Sequence, residues 1–205
     1  MANSESAKKP RLRVFTIGHS TRSSDEFIAL LRANGVARLI DIRTIPKSRH
    51  NPQFNTDTLA ASLHTAGIDY VHLKALGGLR KPLRDSRNAA WRNASFRGFA
   101  DYMQTPEFGE GLARAIELAS EKPSALMCSE AVPWRCHRSL VADALLVRGI
   151  DVLEIVSSAA PKLHTLTPFA RVRETQVTYP ADANQDLFEE AERNEKLGKA
   201  RGRSS

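Results

Sequence analysis

The sequence predicts an α/β fold: a single domain on a mainly parallel five-stranded sheet with helices on both faces. Three observations predict it. Five short apolar runs alternate with amphipathic stretches, the rhythm of βαβ units. Chemistry-bearing residues close four of those runs: His19 and Ser20 the first, Arg43 the second, Lys74 the third, Cys128 and Glu130 the fourth. Open parallel sheets collect ligands outside the carboxyl ends of their strands, so this repeated placement marks one sheet edge as a site. The length, 205 residues, suffices for one well-packed domain and scarcely for two. Together these describe a Rossmann-like three-layer sandwich over residues 12–180.

Residues 14–17 are the first strand and run into Gly18, His19 and Ser20. A helix follows, with Ser23 or Ser24 as cap, Asp25 and Glu26 in its first turn, and Phe27, Leu30 and Leu31 on its buried face. Asn34 and Gly35 stop it. Residues 38–42 are the second strand, followed by Arg43 and a polar stretch to His50. Thr56 or Asp57 caps a second helix that ends at Gly67. Residues 70–73 form the third strand, leading to Lys74, Gly77 and Gly78. In the helical region beyond, Trp91, Phe96, Phe99 and Met103 are spaced to share a face. Thr105 and Pro106 start another helix that buries Phe108, Leu112, Ala115, Ile116 and Ala119. Residues 124–128 are the fourth strand, Pro133 opens a helix ended by Gly149, and residues 151–156 are the fifth strand. Residues 1–11 read as a disordered basic N-terminus and 181–205 as a charged flexible tail.

Composition narrows the classes. The chain is 41% apolar and 26% charged, as globular domains are. It has no apolar run of about 18 residues, so no membrane span is expected. The first residues are polar and basic rather than signal-like, and two cysteines make no disulfide framework; both point to a cytosolic protein. Net charge is +7. From Lys74 to Arg97 there are seven basic residues against the single acid Asp85. That field suits an anionic partner, a nucleic acid, nucleotide or phosphate ester, although a solvated basic loop has the same composition.

The densest reactive cluster runs from Cys128, Ser129 and Glu130 through Pro133, Trp134 and Arg135 to Cys136, His137 and Arg138. With a helix opening at Pro133, Cys136 lies about one turn inside it, where free N–H groups favour a bound phosphate or a thiolate. Arg135 and Arg138 strengthen that field, so a lowered thiol pKa is expected for Cys136. His137 is a poor base for it, since adjacent helical residues point apart; His19, from a neighbouring strand, is the better partner. The expected catalytic set is Cys136, Glu130 and His19. The expected substrate-binding set is Ser20, Arg43, Lys74, Arg135, His137 and Arg138.

Other readings of the same residues stay open. Cys128 also fits a small buried hydrophobe, and Glu130 an ion-pair partner rather than a general acid or base. Arg43, oriented by Asp41, suits bidentate recognition of phosphate or carboxylate, or a plain ion pair. Gly77 and Gly78 permit close approach to a ligand or form a tight turn. His164 follows the last strand near the same sheet edge, whereas His64 reads as a structural helix residue. Cys128 and Cys136 with one or two histidines also fit a zinc site in principle, but they lack the close paired spacing of structural zinc sites, so no metal is the first expectation. No phosphate-loop or dinucleotide fingerprint is present, and no cofactor is predicted.

Taken in order, several motifs resemble the bacterial family known as domain of unknown function 488. They are Thr16-Ile17-Gly18-His19-Ser20, Asp41-Ile42-Arg43 with Pro46 and Ser48, and Leu76-Gly77-Gly78. Phe99-Ala100-Asp101-Tyr102-Met103, Leu126-Met127-Cys128-Ser129-Glu130 and Cys136-His137-Arg138 complete the series. The resemblance covers about residues 13–164 and implies the fold and site positions above; some of the family carry a DNA-repair label. Three functions follow as expectations: an enzyme acting on an anionic, phosphate-bearing, nucleotide or nucleic-acid substrate; a non-catalytic nucleic-acid-binding accessory; or a thiol- or metal-dependent protein using Cys128 and Cys136.

Overall fold

In the computed structural model, which describes residues 11–181, the five apolar runs pair as parallel strands. They are β1 (Arg13–Gly18), β2 (Arg38–Asp41), β3 (Asp69–His72), β4 (Ser124–Cys128) and β5 (Asp151–Ile155). A sixth, antiparallel strand, β6 (Lys162–Leu163), extends the sheet to the order β3-β2-β4-β1-β5-β6. β1 is therefore central: Val14 pairs with Ser124 on one side and Val152 on the other. A separate hairpin joins β7 (Arg171–Arg173) to β8 (Gln176–Thr178). The expectations for residues 1–10 and 182–205 lie outside the described residues.

Alternation along the strands feeds two cores. On one face Ile17, Leu39, Ala125, Met127 and Ile155 pack with Phe27, Leu31, Leu59 and Leu63 of α1 (Ser24–Ala33) and α2 (Thr56–Thr65). On the other, Val14, Ile40, Leu126 and Val152 pack with α3 (Ala94–Tyr102), α4 (Pro106–Glu121) and α5 (Arg138–Leu146). The three-layer sandwich is thus as expected. Ser23, not Ser24, caps α1, its hydroxyl accepting from the Glu26 N–H at 3.1 Å. α2 is capped at Asn55 instead of Thr56 or Asp57, and the Asn55 side chain accepts from the Ser48 N–H at 2.7 Å. Trp91 precedes α3 instead of joining it, and its ring lies 4.8 Å from that of Phe96. None of the described helices is long and apolar enough to cross a membrane.

One correction bears on the site. Pro133 starts only a short 3-10 turn, Pro133–Arg135; Cys136 is then extended (φ −134°, ψ 140°), and α5 begins at Arg138. Across this break the Arg138 side chain, which is 1% exposed, donates to the carbonyls of Glu130 and Ala131 at 2.7 and 3.1 Å. Those bonds pull the 130–131 backbone against β1. Gly18 fits there because any Cβ would collide with the Glu130 carbonyl.

Candidate functional site

β1 connects across β4 to β2, whereas β4 connects across β1 to β5. The two connections leave in opposite directions, so the chain parts at the carboxyl ends of β1 and β4, where open α/β sheets form their crevice. The pairing persists past the strands, with His19 N–H donating to the Cys128 carbonyl (3.0 Å) and Ser20 N–H to that of Ser129 (2.8 Å). Above them lies a cavity of about 810 Å³, within the range of about 300–1,000 Å³ usual for small-molecule sites. Residues 43–51, after β2, supply one wall, and the turn 128–137 the opposite one. Gly78, Leu79, Ser95 and Phe96 add the edge of the basic segment.

Arg43 is built into this edge with unusual completeness. Its Nε donates to both oxygens of Asp41, at 2.9 and 3.1 Å, and Nη2 to Asp41 and to the Phe54 carbonyl (2.8 Å). The Asp41 carboxylate, fully buried, also accepts from Tyr70 Oη at 2.8 Å. Burial resists the Arg43 charge, but the bonds to Asp41 outweigh it and raise its pKa. Burial and the Asp41 charge hold the Tyr70 phenol far above its ordinary value, so it stays a donor. His19 completes the cluster: it stacks on Phe54 (centroids 4.2 Å apart) and places Nδ1 2.8 Å from the Ser20 carbonyl and Nε2 3.3 Å from Arg43 Nη1. Both contacts are satisfied at once by the tautomer with hydrogen on Nδ1. Burial accordingly lowers the His19 pKa, opposed by the Ser20 bond and helped by the Arg43 charge. Of the five guanidinium hydrogens four are engaged; the fifth, on Nη1, remains for a ligand in the cavity that Arg43 lines.

The cavity floor holds a second cluster. The extended Cys136 backbone brings His137 Nδ1 to 3.7 Å from Cys128 Sγ and 3.8 Å from Cys136 Sγ. The adjacent histidine thus reaches both thiols, contrary to the expectation drawn from a continuous helix. His137 Nε2 lies 3.2 Å from the Ile42 carbonyl, its ring packs edge-on to Phe99, and a Cβ on Gly78 would strike it. Gly77 abuts Thr44 in the same way, so the glycine pair serves the close approach of two walls. The two thiols interact directly. Cys128 is the one held well below the ordinary thiol range, by hydrogen bonding from Cys136 against the cost of burial. The same bond, with burial, pushes Cys136 well above it. The lowered thiol is therefore Cys128 and not Cys136, where it was expected.

Of the anticipated site residues, His19, Ser20, Arg43, Glu130, Arg135, Cys136 and His137 line the cavity together, and Cys128 joins them. His19 bonds to Arg43 and Ser20 rather than to Cys136. Lys74 is exposed on a 3-10 turn outside the lining, and Arg138, also outside it, donates to the backbone carbonyls of Glu130 and Ala131. His164 lies apart from the cavity, between Asp143 and Glu154. Sequence reading missed Lys47, Ser48 and Asn51 on the wall and Phe54 and Tyr70 behind Arg43. A lone aromatic such as Phe54 in a polar stretch was the available signal.

Fold and cavity together define an open, mainly parallel α/β protein with a crevice at the point where its strand order reverses. Residues 23–145, more than half of the chain, match the family described as a domain of unknown function, DUF488. The chain belongs to that family. No curated protein and no solved structure matches it.

Proposed function

We propose that this chain is an enzyme acting on a small anionic, phosphate- or carboxylate-bearing substrate held in the cavity between the carboxyl ends of β1, β2 and β4. One observation carries the reading: the fixed guanidinium edge of Arg43 and the exposed cations Lys47 and Arg135 border one cavity whose floor is the Cys128, Cys136 and His137 cluster. Hydroxyls of Ser20, Thr44, Ser48 and Ser129 add neutral donors, and Glu130 is the single carboxylate in the lining. Arg43 is held by Asp41 before any ligand arrives, so binding does not have to order it. Its remaining N–H would orient the anionic group, leaving the reacting end over the thiols and His137. Glu130, exposed at the wall, is placed to move a proton.

A ligand that binds only the folded chain raises its unfolding temperature with concentration. Inorganic phosphate and nucleoside monophosphates should therefore stabilise the metal-stripped wild-type chain, and not a Lys47→Ala/Arg135→Ala double variant. Equal stabilisation of both proteins, or of neither, would remove the reading. A nucleic-acid-binding accessory is the second reading, favoured by Lys81, Arg84 and Arg87, all exposed on the segment whose ends border the cavity. Affinity for single-stranded DNA that did not fall with rising salt would remove it.

A further inference from the structure

We propose that Cys128, Cys136 and His137 form a three-ligand site for a thiophilic divalent cation of the zinc class, with the fourth coordination position open to the cavity. The three donor atoms lie within 4.8 Å of one another, the only such cluster of potential metal ligands among the described residues. With Zn–S near 2.3 Å and Zn–N near 2.0–2.1 Å, tetrahedral geometry sets sulfur and nitrogen about 3.6 Å apart. The two S···Nδ1 separations here are 3.7 and 3.8 Å. Two of the three donor separations thus already match a tetrahedral site.

The surroundings prepare the same atoms. A ligating histidine commonly donates its second ring N–H to a carbonyl or carboxylate, which fixes the tautomer. His137 Nε2 faces the Ile42 carbonyl at 3.2 Å, which leaves the Nδ1 lone pair toward the thiols. Phe99 and Gly78 hold the ring from two sides. The Arg138 N–H donates to Cys136 Sγ at 3.5 Å, and Ser129 Oγ lies 3.9 Å from Cys128 Sγ; both would support thiolates. Two thiolates and a neutral imidazole carry charge −2, which matches a divalent ion, and soft sulfur with imidazole favours zinc over calcium or magnesium. Binding forms two S–M bonds and one N–M bond and sends the thiol protons to solvent. Cys128, Cys136 and His137 are buried or half-buried, yet all three line the cavity, so a ligand there reaches the fourth position. This explains why the cysteine spacing lacks a paired signature: one ligand ends a strand and two come from the turn before α5. The task of the cation rests on the proposed anionic substrate, one oxygen of which would take the open position.

The test uses the full chain, reduced and stripped of metal, titrated with Co2+ and then Zn2+ in the absence of substrate. The expected result is one equivalent bound, a thiolate-to-cobalt charge-transfer band, the intense visible spectrum of a four-coordinate centre, and loss of both on adding Zn2+. Cys136→Ser and His137→Gln should each weaken binding by more than the ~10–100-fold that outer partners typically cost. Absence of the charge-transfer band in the wild-type chain overturns the site without recourse to any variant. So does an oxygen-ligand cobalt spectrum, or binding unchanged by Cys136→Ser. Phosphate protection is measured on the metal-free chain, so failure there and failure here are separate results.

Discussion

Two buried ionic clusters flank the central β1–β4 pair, and they are assembled from the same parts: a fully buried aspartate, a cation and a tyrosine. Around Asp41 stand Arg43, Tyr70 and His19; around Asp143 stand His164, Tyr179 and the Thr167 N–H. Asp143 accepts from His164 Nε2, Tyr179 Oη and Thr167 N at 2.8, 2.8 and 3.0 Å, and His164 Nδ1 lies 2.8 Å from Glu154. Every strong donor there ends on a protein acceptor, and none of these residues lines the cavity. The Asp41 cluster is as well bonded on its inner side, but Arg43 and His19, though buried, line the cavity. The lesson is that buried charge identifies a site only where the pairing leaves a donor facing a cavity. Where it closes on itself, it is a brace: here it ties the β7–β8 end of the described chain to α5 and β5.

The largest effect is expected from Asp143→Ala, which strands three donors in the interior and should cost about 3–5 kcal/mol in urea denaturation while leaving phosphate protection intact. A loss under about 1 kcal/mol would refute the brace. Next comes pH. Burial opposes protonation of His164, but the bonds to Asp143 and Glu154 prevail and push its pKa up to about 9, against 6.5 ordinarily. Its contribution is therefore fully present below pH 6.5 and lost as pH rises through 9. The loss should be about 2 kcal/mol once solvent screening is allowed for, and His164→Gln should flatten that alkaline limb. Arg43→Lys keeps the charge but not the fork onto Asp41; stability should fall by about 1–2 kcal/mol, and phosphate protection should go with it. Protection retained in that variant would show the open edge to be incidental. The smallest effect on stability, within about 0.5 kcal/mol, is expected from Lys47→Ala/Arg135→Ala, since both side chains are exposed.

Periodicity made the parallel sheet legible, because strands of four to six residues and helices of nine or more carry their own pattern. β6, β7 and β8 were not legible: two or three residues, almost all exposed, offer no period. The carboxyl-end rule placed Ser20, Arg43, Cys128 and Glu130 at one sheet edge, and all four line one cavity. Lys74, on the 74–76 turn, is outside that lining. The break at Cys136 was hidden because Pro133 signals a helix start, and only tertiary structure reveals that the Arg138 guanidinium holds the backbone of residues 130 and 131.

The place of β1 at the centre of the sheet has a consequence for biosynthesis. Val14 pairs with Ser124, so the first strand leaves the ribosome about 110 residues ahead of its nearest partner. At about 5–20 residues per second it spends ~5–20 s with both edges unpaired. Exposed apolar strand edges are templates for association with other chains. Completion of the sheet waits longer still, for β5, and His19 and Ser20, made over 100 residues before β4 ends, join a cavity only when that later part of the chain arrives. Translation that stalls before β4 should therefore yield an association-prone chain with no site at all.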